Sequence, residues 1–376
     1  EPRIDFSNDA KGALLLEPSR MNLITQSESF DNAYWTKTNS SVVSGFVSPN
    51  GTTNAFKLVE DTSMGIHILQ PTTPITTVIG TSYSLSAFYK IGERPYGIIG
   101  LHYNSSNGCI AEYEFSTDTF VYLGAAGANY SISNLKSIVL ANGFVKLSCT
   151  ITTGHTVAFP SFGVHKNLLT TGIIANNTYQ GDGTSGVYIY GGQLEQASYA
   201  TSYIPTSGSA VTRVADACSQ TPPSGIIGQT EGTMYAEIDF KSKPEAGSPI
   251  VGIITLNNNV SNVQNCIILG IERQSGGVNR FFPLVRVGNS DVAYVAGQAL
   301  TDGIYKAAFA YKQNDFVLYV NGVQIGTDTN GAVPTTSQVL VGERYNSDPF
   351  KIADGIKETK LYNTRLSNAE LQALTT

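Results

Sequence analysis

The sequence predicts an all-β chain: two β-sandwich (jelly-roll) domains, followed by one short C-terminal helix. Three observations point there. Short runs rich in β-branched and aromatic residues recur along the whole length, separated by clusters of Gly, Asn, Ser and Pro. Charged residues make up only 14% of the 376, against roughly 25% in an average soluble protein, while there are 37 Gly and 20 Tyr. A helical pattern occurs once, at 367–374.

Taken in order, the strand-like runs are 84–90, 96–103, 110–115, 144–151 and 187–190, then 234–240, 250–256, 266–272, 281–287, 305–311, 315–320 and 338–342. Gly191-Gly192 is expected to end the run that precedes it. The stretch from about Pro205 to Gly232 is polar and holds TSGSA and QTPPSG, as a surface linker would. The expected division is therefore 1–210, a linker at 211–231, and 232–376, each half large enough for its own core. No internal repeat is apparent. Asn321-Gly322 separates two apolar runs and is the pair that suits a two-residue hairpin, where both positions take positive φ. Ser367 and Glu370 have the spacing of a capping box, with Leu371 and Leu374 on one face of the helix.

Two segments of the first half resemble a module that recurs in bacteriophage tail and tail-fibre proteins. These are LLLEPSRMNL (14–23) and GVYIYGGQLEQASYATSYIPTSGSAVTRVAD (186–216), which bracket it. In the second half, FVLYVNGVQIG (316–326) and GIKETKLYNTRLSNAEL (355–371) resemble the hairpin and closing segment of laminin-G-like and concanavalin A-like domains. The first resemblance implies a jelly-roll, carbohydrate-binding-like module of a phage tail-fibre or receptor-binding protein. The second implies a lectin-type sandwich, a fold shared by lectins, lyases, hydrolases and adhesion modules.

Several function classes lack their signatures. Net charge is −6 with no Lys/Arg run, so the basic clusters that bind nucleic acid or anionic membranes are missing. No apolar run approaches the ~20 residues that span a bilayer. The chain begins at Glu1 without Met or a signal peptide, as a fragment or processed product would. Cys109, Cys149, Cys218 and Cys266 are far apart without CxxC spacing, which argues against zinc. They are expected as free thiols, since phage structural proteins mature in a reducing cytoplasm.

Catalytic signals are weak. Glu237 and Asp239 lie two apart and share a strand face. Lys241 stands where laminarinase-type hydrolases carry a third carboxylate, so the pair is expected to be non-catalytic. Glu112 and Glu114 alternate with Tyr113 and Phe115, the pattern of one apolar and one wet face. His67, His102, His155 and His165 lie in no nucleophile or metal motif; His102-Tyr103-Asn104 is a candidate sugar groove. Residues 181–184 (GDGT) and 5–9 (DFSND) are candidate calcium loops that read equally as turns. No metal or cofactor is assigned. Trp35, the single Trp, is expected in the core.

Sugars stack on aromatic rings and pair with amides and Arg. The candidate carbohydrate contacts are therefore a face around Tyr96 and Tyr103, and rim loops bearing Arg280, Tyr294, Arg344 and Tyr345 with the Pro349-Phe350 turn. The resulting expectation is a non-catalytic, lectin-like phage tail part that binds host cell-surface polysaccharide beside other tail proteins. Such a part would be assembled in the host cytoplasm as a homotrimer and carried on the virion. The alternatives are a polysaccharide depolymerase and a secreted bacterial carbohydrate-binding module.

Overall fold

The computed structural model describes residues 3–5, 12–172, 174–223, 225–241, 250–258, 263–273, 278–295, 297–345, 348, 352 and 355–376. The chain forms two compact units. One comprises 20–213; the other joins 1–19 to 214–376. The first nineteen residues, expected with the N-terminal module, thus group with the C-terminal one. The expected linker contains two short strands: Val211–Arg213 pairs with Arg20–Asn22, and Ser219–Gln220 pairs with Gln338–Val341.

The 20–213 unit is a jelly-roll sandwich of antiparallel strands. One sheet runs Ser131–Val139, Val145–Thr152, Ser82–Ile91, Gly186–Glu195, Ala55–Glu60, Ser40–Phe46. The other runs Thr119–Ala126, Asn107–Glu114, Tyr96–Asn104, Val157–His165, His67–Pro71, Trp35–Thr38. Between them lies a core that includes Leu85, Ile99, Leu101, Leu147, Phe162 and Leu194. Trp35 sits in it, 2% exposed, against Phe30 (ring centroids 5.0 Å), with its indole N–H on the Gln26 carbonyl (2.9 Å).

Gly191-Gly192 does not end its strand. Tyr190 pairs with Phe88 and Gln193 with Ser86, so the two glycines face Ala87 alone in a β-bulge. Gly191 takes φ +66°, which a Cβ would strain, and the ladder resumes through Glu195.

The bulge explains the two motifs that bracket this unit: they hold each other. Asn22 is fully buried, donates to the carbonyls of Gly192 (3.1 Å) and Ile204 (2.9 Å), and accepts from the N–H groups of Ile24 and Leu194 (3.1 Å each). Gln193 accepts the Ile204 N–H (2.7 Å). Glu195, fully buried, accepts from the Thr201 N–H and hydroxyl. Thr206 bonds back to Ile24 and Ser27. Strand end and returning chain are thus tied by polar groups that water cannot reach, and each has a partner.

The other unit is a second sandwich of antiparallel strands. One sheet runs Arg3–Asp5, Ala13–Leu15, Gly355–Tyr362, Glu231–Phe240, Gly303–Lys312, Asp315–Val320, Val323–Asp328. The facing sheet includes Gln338–Val341, Ile250–Asn257, Cys266–Arg273 and Asn279–Phe281. Met234, Ile238, Leu256, Leu269, Phe309 and Leu318 fill the space between. The run expected as one strand at 281–287 is two, ending at Phe281 and restarting at Leu284; Pro283, which lacks an N–H for the ladder, lies in the gap.

Asn321 (φ 48°) and Gly322 (φ 77°) form the tip of the hairpin, with Val320 opposite Val323. The helix Asn368–Thr375 has Ser367 as N-cap, with both bonds of the capping box to Glu370. Its Leu371 packs on Tyr235, Ala308, Ala310, Val317 and Tyr319, on the sheet face away from the main core. The four cysteines are free thiols.

Candidate functional site: a groove on the jelly-roll unit

Alternation sorts the side chains of the second jelly-roll sheet. Leu69, Ile99, Leu101, Phe162 and Val164 point into the core. Their neighbours therefore point outward. Ile68, Ile98 and Ile110 on that outer face meet Leu169 and Ile174 from the 166–178 connection, making a second apolar cluster. Beside this cluster lies a groove of about 180 Å³. It crosses four neighbouring strands, from Thr38 through Ile68 and Gln70 to Phe159 and His102, and ends at Tyr103-Asn104-Ser105. Ile174 and Ala175 form its other wall. None of the lining residues is Asp, Glu, Lys or Arg.

His102 organises the floor. It is 7% exposed, and burial pushes its imidazole down to about 4, so the ring is neutral. Its Nε2 lies 3.1 Å from Gln70 Oε1, its Nδ1 3.3 Å from the Ser161 hydroxyl, and its ring stacks with Phe159 at 5.9 Å. Gln70 Oε1 only accepts, which places the imidazole proton on Nε2, while Nδ1 faces the Ser161 hydroxyl, itself a donor to the Gly100 carbonyl (3.3 Å).

Tyr103, 38% exposed, is braced from behind. Its ring lies parallel to His155 (4.0 Å, 6°), and His155 stacks with Tyr130 (5.7 Å) and bonds its hydroxyl through Nδ1 (3.2 Å). Tyr96 stands at the far end of the same strand, its hydroxyl 3.5 Å from Glu114. Seven residues of strand separate the two by roughly 23 Å. Tyr96 and Tyr103 therefore do not share a site.

The rim candidates of the other unit occupy three places. Arg280 is cross-strand from Glu272, with Nε 3.6 Å from its carboxylate. Tyr294, 40% exposed, leans on Phe282 (4.9 Å). Arg344 holds the buried Asp348 through Nε (2.8 Å) and Nη2 (3.1 Å) and lies 5.5 Å from the centre of the Tyr345 ring. Pro349-Phe350 lies outside the described residues, as does most of the 5–9 calcium candidate.

The remaining candidates have structural partners. Glu237 pairs with Lys357 (3.6 Å) and Asp239 with Lys241 (2.8 Å). Asp182 accepts from Ser185, Thr184 and Arg94, and the Ser185 and Thr184 bonds hold its carboxyl well below the usual range; the 181–184 segment is a tied turn. No cluster of three or more His, Cys, Asp or Glu able to hold a metal occurs among the described residues.

Glu112 is not on a wet face. It is fully buried, because the 166–178 connection covers the outer side of its sheet. Its Oε2 accepts the Leu169 N–H (2.8 Å), and its Oε1 lies 3.6 Å from His165 Nδ1. Burial is the main cause that raises its pKa to about 7, helped by the charge of Glu114 and opposed by the Leu169 bond. The sequence reading found His102, Tyr103 and Asn104. It missed Thr38, Gln70, Phe159 and Ile174, which carry no local signal and meet only in the folded sheet.

No protein-family model matches this sequence, and no curated protein does. Among solved structures, the chain is similar to mouse laminin α1 domains LG4-5 (10% identity, TM-score 0.25, 87% of this chain and 92% of that one). It is also similar to a Bacteroides ovatus protein described as carbohydrate-binding (11%, 0.29, 78% and 79%). A third match is Trypanosoma rangeli sialidase (11%, 0.32, 85% and 60%), so the chain spans less than two thirds of that enzyme. At these scores the fold rests on the strand topology given above.

Proposed function

We propose that this chain is a non-catalytic, glycan-binding part of a phage tail fibre, which attaches the virion to a host cell-surface polysaccharide. The observation that carries the binding reading is the groove: an aromatic and aliphatic floor with a rim of amides and hydroxyls, and no carboxylate to act as acid or nucleophile. Phage origin rests on the two tail-protein motifs at 14–23 and 186–216. Those motifs are tied to each other through Asn22, which bonds Gly192, Leu194 and Ile204, so they mark the scaffold while the groove supplies the contact. Tyr294, Arg280 and the Arg344-Tyr345 pair remain secondary contacts in this proposal.

A single shallow site binds weakly. Closed assembly of three copies, expected from the tail-fibre resemblance, makes each further contact intramolecular and raises avidity by roughly 10²–10⁴. The test is binding of the labelled chain to a panel of bacterial cells before and after periodate oxidation of their surface glycans, with reducing-end release assayed in parallel. Binding that periodate abolishes, without reducing-end release, supports the proposal. Binding indifferent to periodate, or steady release of reducing ends, would overturn it. Light scattering on the purified chain reads the oligomeric state.

A further inference from the structure

Resting on the glycan-binding reading above, we propose that the jelly-roll groove takes one uncharged sugar ring, stacked on Tyr103 and hydrogen-bonded by the amide nitrogens of Gln70 and Asn104. Three features on the groove wall point to this ligand.

The first is polarity that is set in advance. Gln70 Oε1 is taken by the His102 Nε2–H, and Asn104 Oδ1 is taken by the Ser106 N–H (2.9 Å) and Asn107 Nδ2 (3.0 Å). Both amides turn their oxygens toward these partners. Their NH2 groups have no protein partner among the described residues. Each carries two donors. Sugar hydroxyl and ring oxygens are acceptors that such donors fit.

The second feature is charge. An acidic sugar would bring a carboxylate into a groove lined by no cation, and His102 stays neutral, so the desolvation of that carboxylate has no compensating ion pair.

Size and shape make the third. About 180 Å³ lies below the ~300–1,000 Å³ of sites for larger ligands, so one ring enters and the rest of a chain stays outside. Tyr103 lines the mouth, and parallel stacking on His155 holds its ring stiff.

The experiment screens the purified full chain on an array of neutral oligosaccharides (glucose-, galactose- and mannose-terminated) beside acidic ones (sialic acid- and uronic acid-terminated). Hits are then titrated with wild type, Gln70→Ala, Tyr103→Ala and Ala175→Trp. Trp35 fluorescence in urea confirms folding for the first two; circular dichroism does so for the third. Binding to neutral glycans is expected, about tenfold weaker in Gln70→Ala for one lost donor, similarly weakened in Tyr103→Ala, and absent in Ala175→Trp, whose indole fills the groove. Two results would overturn the inference while leaving the glycan reading intact: exclusive binding of acidic glycans, or neutral binding that folded Gln70→Ala and Ala175→Trp leave unchanged. Binding to no glycan on the array, by a chain that still adsorbs to cells after periodate, would overturn both.

Discussion

Replacing Glu112 by Gln should make the jelly-roll unit more stable relative to wild type as pH rises. Glu112 is fully buried and its pKa is raised to about 7, chiefly by burial. In the unfolded chain the same carboxyl titrates near 4.5. Between these values the folded protein holds a proton that the unfolded chain has lost, so stability falls as pH rises through that window and levels off above about 7. The shift corresponds to about 3 kcal/mol. Gln keeps an oxygen to accept the Leu169 N–H but cannot ionise. The stability difference between variant and wild type should therefore move by about 3 kcal/mol in the variant's favour from pH 4.5 to pH 8. Burial lowers the pKa of His165, an effect of the opposite sign: its contribution is full above the unfolded histidine value and lost as pH falls. His165 Nδ1 lies 3.6 Å from Glu112, so the two titrations couple, and repeating the comparison in a His165→Asn background isolates the Glu112 contribution. The assay is urea unfolding from pH 4 to 9 followed by tryptophan fluorescence. Trp35 is the only tryptophan and lies in this unit's core, so the signal reports this unit alone. A pH-independent difference, or one that turns against the variant as pH rises, would refute the reasoning.

Three other perturbations have defined outcomes. Asn22→Ala leaves the buried Leu194 N–H and the Gly192 and Ile204 carbonyls without their partner, and should lower the Trp35-monitored stability by about 3–5 kcal/mol; a loss below about 1 kcal/mol would show that the two motifs do not depend on each other. Gly322→Val forces a β-branched residue to φ 77° and brings its Cβ to 3.0 Å from Thr376 Oγ1. A lower calorimetric melting temperature, by an amount equivalent to about 1–3 kcal/mol, is expected, and an unchanged one would remove the hairpin tip from the stability argument. Ser367→Ala deletes the N-cap acceptor of Glu370 N–H and should cost about 1 kcal/mol, read as faster amide exchange across 368–375.

Local chemistry was legible in the sequence wherever the relevant partners are neighbours in the chain. Asn321-Gly322 adopts positive φ at both positions because that pair tolerates it best, and Ser367 meets Glu370 because three residues of helix bring them together. Apolar runs such as Ala307–Tyr311 announced their strands because both of their faces are buried. Ser40–Phe46 and Ser131–Val139 gave no such signal: they are outer strands of their sheet, largely exposed and rich in Ser, so no apolar alternation is imposed on them.

Tertiary structure decided what depends on residues far apart. Glu112 alternates with Tyr113 as a half-wet strand should, yet it is buried, because residues 57 and more positions downstream fold over its face. Gly191-Gly192 reads as a break, but Asn22, 170 positions away, ties the Gly192 carbonyl and converts the break into a bulge. Of the candidate site, the His102–Asn104 segment was visible by itself, as polar and aromatic types at the end of a strand. Its partners Thr38, Gln70, Phe159 and Ile174 come from four separate segments, and only the order of strands in the sheet sets them side by side. Side-chain type is a property of the sequence, whereas proximity across strands is a property of the sheet, and the groove depends on both.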